Sequence, residues 1–147
     1  MKSLFDQDAY EEIERRVGEL NSNHKGQWGK MTVGQMVWHC QVPLALAIKN
    51  KATRKKGNLF IRLFFKKSLY NDTPWRKNLP TSPFAKANEP KDFTVERYKL
   101  LDLIAQFHNL KSRDTWNPHP IFGKLTHEQW GKLNYKHLDH HLRQFGV

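Results

Sequence analysis

Only one cysteine, Cys40, occurs among 147 residues, which excludes an intramolecular disulfide and any two-cysteine metal or redox motif. Its plainest reading is a small buried hydrophobe. No apolar run approaches the roughly 20 residues that cross a bilayer. The opening MKSLFDQDAYEEIERR lacks the apolar segment of a secretory leader, so the expectation is a cytoplasmic protein with no membrane span. Acids are scarce against bases: 14 Asp and Glu face 25 Lys and Arg, for a net charge of +11. That balance favours contact with nucleic acid, anionic surfaces or acidic ligands without choosing among them. No alternating run bounded by hairpin residues occurs, so a sheet-based fold has no sequence support.

Helical periodicity is what remains. Tyr10, Ile13, Val17 and Leu20 recur at spacings of three and four within residues 6–20, with acids leading, as suits a helix dipole. Thr32 can cap a second helix running to about residue 50, where Pro43 predicts a kink or a fresh start. Val95, Tyr98, Leu101 or Leu103, Ala105 and Leu110 mark a third helix from Asp92 or Thr94. The last helix opens on Thr126-His127-Glu128-Gln129, a capping-box sequence, and ends at Gly146. Between the second and third helices, Leu59 to Tyr70 reads as a short basic helix. The following residues, 71–91, hold four of the seven prolines, a long loop expected to lie across the body of the fold. The length suits one domain over 1–147, and the most economical architecture is all-α, an antiparallel four-helix bundle with a short extra basic helix.

Eight histidines are present, and helix geometry decides which can converge. On the last helix Trp130, Leu133, His137, His141 and Gln144 share a face. The β-carbons of His137 and His141 would then lie about 6 Å apart, close enough for two imidazole nitrogens to reach one ion at about 2.0–2.1 Å. A solvated polar face is the alternative. His140 lies about 100° round the helix from His141 and is an alternate ligand. His39 sits among Met36, Trp38 and Cys40, where a core-facing imidazole needs a partner. That partner is either an ion shared with His137 and His141 or a carbonyl or carboxylate in the core.

The stretch MTVGQMVWHCQ, read with KHLDHHLRQ near the end, resembles the DinB/YfiT-like superfamily of metal-dependent enzymes. Members of that superfamily are four-helix bundles with a ligand His on helix two and HxxxHxxQ on helix four. Trp38-His39 and His137-Leu-Asp-His-His141-Leu-Arg-Gln144 stand in those places and in that order. The C-terminal segment HPIFGKLTHEQWGKLNYKHLDHHLRQFG is also similar to an uncharacterised branch of the superfamily, a domain of unknown function. Between Lys51 and Pro90 no motif carries over. The resemblance implies a three-His site of His39, His137 and His141.

Three neutral imidazoles leave a divalent ion its full charge and an open position, an arrangement for activating water or binding an anion. Zinc is the default, with nickel and iron also suited to imidazole. Gln144, Asp139 and Asn134 are candidates to orient the ligands, and His119, in the loop before the last helix, is a second alternate. Cys40 should face elsewhere and makes a poor fourth ligand. By resemblance, the expected activity is a thiol-dependent transferase or a hydrolase acting on a small molecule, with a low-molecular-weight thiol as a further partner and a homodimer as a possible assembly. A second reading comes from another class: a nucleic-acid or anionic-surface module within residues 51–77. There Lys55, Lys56, Arg62, Lys66 and Lys67 interleave with Phe60, Phe64 and Phe65, supplying phosphate neutralisation and stacking.

Overall fold

The computed structural model describes residues 1–52 and 66–147. Four helices carry the described fold: α1 (Gln7–Glu19), α2 (Val33–Lys49), α3 (Phe93–His108) and α4 (His127–Gln144). Among the described residues there is no strand, only an isolated bridge between His119 and Gly123. Of the expected basic helix, residues 53–65 lie outside the described residues, and Lys66–Leu69 form one 3-10 turn.

Local chemistry fixes the helix starts. The Thr32 hydroxyl accepts from the Gln35 amide at 3.2 Å while the Gln35 side chain accepts from the Thr32 amide at 3.0 Å. Thr126 and Gln129 repeat this reciprocal box at the start of α4, satisfying donors that a helix otherwise leaves unpaired. Asp92 caps α3 through the Val95 amide at 2.8 Å. α2 runs unbroken through Pro43 rather than restarting there. The proline ring supplies no amide to the carbonyl four residues back, that of His39.

The neighbours and directions of the helices differ from a sequential up-and-down order. Arg97, early in α3, donates to the carbonyls of Gly18 and Leu20 at the end of α1, and His108 at the end of α3 bonds the Leu4 carbonyl before α1. Those two helices are therefore antiparallel. α2 and α3, the most extensively packed pair, run the same way: Gly34 abuts the Lys91 carbonyl at their starts, and Arg113 donates to the Ala47 carbonyl at their ends. α1 and α4 also run together, tied by Leu4 N to Gly131 O at 3.1 Å and by Arg16 to Asp139 at 2.8 Å. The antiparallel expectation thus fails for the pairs α2/α3 and α1/α4. A parallel pair cannot be joined by a tight turn, which accounts for the length of the connection between α2 and α3.

One apolar cluster lies between the helices, built from Ile13 and Val17 of α1, Met36 and Leu44 of α2, Leu100, Ile104 and Phe107 of α3, and Trp130, Leu138 and Leu142 of α4. Each such side chain contributes about 1.5–3 kcal/mol of burial. The same helix faces that supply these residues also aim His39, His137 and His141 inward.

Close packing at Gly34 gives a stability test. A Cβ there would stand 2.2 Å from the Lys91 carbonyl oxygen, whereas one at Gly18 would meet nothing within 4 Å. Gly34→Ala should lower unfolding free energy in urea by about 2 kcal/mol, and Gly18→Ala should leave it unchanged or raise it by about 0.5–1 kcal/mol. Equal effects at the two sites would contradict this packing.

Candidate metal centre

Three imidazoles meet where α2 faces α4. His39, His137 and His141 each offer a ring nitrogen, and these atoms all lie within 4.8 Å of one another. The Nε2 atoms of His39 and His137 are 3.0 Å apart. Two nitrogens bound tetrahedrally to one ion at about 2.0–2.1 Å would be separated by about 3.3 Å, so a few tenths of an ångström separate the observed contact from a shared-ion geometry.

Hydrogen bonds behind two of the rings fix which nitrogen faces the cluster. His39 Nδ1 lies 2.8 Å from the Ala85 carbonyl. A carbonyl only accepts, so Nδ1 carries the proton and Nε2 presents its lone pair. His141 Nδ1 lies 2.9 Å from Gln144 Oε1. The orientation of that amide is set in turn, because Gln144 Nε2 donates to the Trp28 carbonyl at 2.6 Å. His141 therefore also keeps its proton on Nδ1 and turns Nε2 inward. Space for the Gln144 amide comes from Gly29, whose φ is +79° and whose Cβ, if present, would lie 2.6 Å from Gln144 Nε2. Glycine meets both demands at once.

His137 is different: its Nδ1 is buried without a hydrogen-bond partner among the described residues. Were its Nε2 to hold the proton and donate to His39, Nδ1 would be a buried, unmet acceptor. Were Nδ1 to hold it, two lone pairs would confront each other across 3.0 Å. Either state leaves an electrostatic debit that a cation shared by the Nε2 atoms would reduce. The donor set thus fits a metal ion.

Burial keeps the cluster neutral. It pulls the pKa of His137 well below the ordinary 6.5, with the neighbouring His141 and His39 adding to the effect. It brings His141 down to about 3, with His39 again contributing, and lowers His39 as well. At neutral pH none of the three rings is an imidazolium, so each keeps one N–H and one lone pair.

The other expected residues fall in separate places. Gln144 is brought to the cluster. Asp139 turns to Arg16 at 2.8 Å and bonds none of the three imidazoles. Asn134 donates to the Trp130 carbonyl at 3.0 Å, and its Oδ1 is buried with no partner among the described residues. His140 packs edge-on to His141 with ring centroids 5.1 Å apart and stands outside the three-nitrogen group. Cys40 is buried, its thiol contacting Met36 sulfur at 3.7 Å and its pKa raised by burial. Of the basic stretch, Lys55, Lys56, Phe60, Arg62, Phe64 and Phe65 lie outside the described residues, while Lys66 donates to the Lys124 carbonyl.

The sequence did not mark the Trp28 carbonyl or Gly29, nor two contributors from farther along the chain. Ala85 acts through its carbonyl, and a backbone group leaves no sign in residue identity. Trp75 places its indole 6.0 Å from the His137 ring and is anchored by an Nε1 bond to the Ser68 carbonyl at 2.9 Å. Both come from the proline-rich segment, which does lie across the body as expected.

His119 belongs to a turn. Its Nδ1 accepts from the amides of Ile121 and Phe122 at 3.1 and 3.3 Å, and burial lowers its pKa to about 4. Above pH 6.5 this group is neutral folded or unfolded and shifts nothing. As pH falls from about 6.5 toward 4, the unfolded chain binds a proton that the folded one refuses, so stability is lost. Between pH 6.5 and 5 the loss should be about 1.5 kcal/mol. His119→Asn keeps an acceptor but removes the titration, so urea unfolding at those two pH values should show a correspondingly smaller loss. Identical losses in the variant and the parent would contradict the assignment.

No match was found to this chain among curated proteins or among solved structures. A family model described as protein of unknown function (DUF1569) matches residues 5–146. With nearly all of its length matched, the chain belongs to the DUF1569 family.

Proposed function

We propose that this protein is a metal-dependent enzyme of the DinB/YfiT-like kind, in which His39, His137 and His141 hold one divalent ion with a position left open. The observation that carries this reading is the convergence of three neutral imidazoles with a ring nitrogen each within 4.8 Å of the others, two of them with the inward lone pair fixed by bonds on the far side of the ring. The motif order supports it too, with one ligand on α2 and HxxxHxxQ on α4.

Zinc is the leading ion by ligand type, with nickel and iron as alternatives. When bound, such an ion supplies Lewis acidity toward a water or a thiol at its open position. The chain's own residues do the rest. Ala85 and the Trp28–Gln144 pair hold the ligand rings in register, and Trp75 covers one flank of His137. The reaction class, thiol-dependent transfer or hydrolysis on a small molecule, rests on the resemblance of His39 and the His137–Gln144 segment to that superfamily.

Elemental analysis of protein purified without a metal-affinity tag tests the site. About one equivalent of a transition metal is expected, and His137→Ala with His141→Ala should abolish it while circular dichroism still reports helix. Gln144→Leu, which removes only the orienting acceptor, should weaken metal affinity about 10- to 100-fold. Metal content indifferent to the double His change would overturn the proposal.

A further inference from the structure

A second feature adjoins the histidines without including any of the three. A cavity of about 300 Å³ lies against α4, with Trp28, Trp75, Lys77, Lys136, His140 and Arg143 in its walls. That volume is at the lower end of small-molecule sites. Two of its walls also touch the cluster: the Trp75 ring lies 6.0 Å from His137, and the His140 ring lies 5.1 Å from His141.

Flat apolar surface and an excess of positive charge occur here together. The His140 ring stands 5.9 Å from Trp28 and 5.7 Å from Trp75, so three aromatic rings border one space. Lys77 holds its ammonium 4.5 Å from the Trp28 ring centre and forms no ion pair with another described residue. Lys136 is only 6% exposed. Its ammonium donates to Ser68 O, Asn71 O and Asn71 Oδ1 at 2.7–2.8 Å, all neutral acceptors, so its hydrogen bonds are met while its charge is not cancelled.

Two acids in the wall offset this only in part. Asp139 is shared between two guanidiniums, Arg16 at 2.8 Å and, more loosely, Arg143 at 3.6 Å, and Asp72, 82% exposed, pairs with the Met1 amino group at 3.1 Å. A buried ammonium, a cation over an indole and an exposed guanidinium thus leave a positive potential in a partly desolvated space, where it acts more strongly than in open water.

We propose that this cavity binds a small organic carboxylate with a flat body, the body lying against the indoles and the carboxylate facing Lys77 and Arg143. Cation–π contact and charge-assisted hydrogen bonding are the two interactions such a ligand would use. Its role as the holding end for a substrate of the metal centre rests on the function proposed above; the binding itself does not.

Tryptophan fluorescence of the full chain, titrated with sodium benzoate and with benzamide, tests the cavity. The same titrations on chelated and on metal-loaded protein separate it from the ion, which could itself bind a carboxylate. The expected result is saturable benzoate binding in both forms, with benzamide weaker by about tenfold, the discrimination expected of one charged interaction. Lys77→Met with Arg143→Met should bring benzoate to the benzamide level, and added salt should weaken benzoate alone. Equal affinity for the two probes, benzoate binding unchanged in the double variant, or benzoate binding confined to metal-loaded protein would each overturn the proposal. Saturation in chelated protein supports the cavity even if elemental analysis finds no metal.

Discussion

Three imidazoles brought together at neutral charge, His39 and His141 buried and His137 half-buried, are the constraint around which this structure is arranged. Burial keeps the rings neutral and leaves, at His137, a nitrogen with no partner among the described residues. Such a cluster is costly unless each ring is held and its outward N–H is met. Ala85 O meets that need for His39, and Gln144, fixed by Trp28 O, meets it for His141. Segments distant in sequence, residues 28–29 and 75–85, are thereby tied to a site carried by α2 and α4.

The path of the chain follows from the same arrangement. With α2 and α3 parallel, no tight turn can join them, and the described part of their connection brings Trp75 and the Pro83–Ala85 turn to the histidines. A sequential antiparallel order would have needed only a short turn there and would have supplied neither group. The long connection is thus both a topological requirement and the source of part of the site.

Much of this was legible in the sequence wherever the information is periodic or local. The spacing of Ile13 and Val17 marked the buried face of α1, Thr32 and Thr126 marked helix starts, and the four-residue interval placed His137 and His141 on one face. Gln144 followed from the same face. The directions of α2 and α3 were not legible, because helix patterns say nothing about which helices adjoin. Nor was the Ala85 carbonyl, since hydrogen bonding by the backbone is independent of side chain. Asp139 was a further candidate to orient a ligand, behind Gln144, but Arg16 of α1 claims it across a distance in sequence that spacing cannot reveal.

Anomalous diffraction from crystals of the zinc-loaded chain would test the central claim most directly. The account predicts a single strong peak within about 2.3 Å of one nitrogen from each of His39, His137 and His141, with His39 and His141 ligating through Nε2. A fully zinc-loaded protein whose peak lies elsewhere, or whose three rings close on one another with no ion between them, would contradict it.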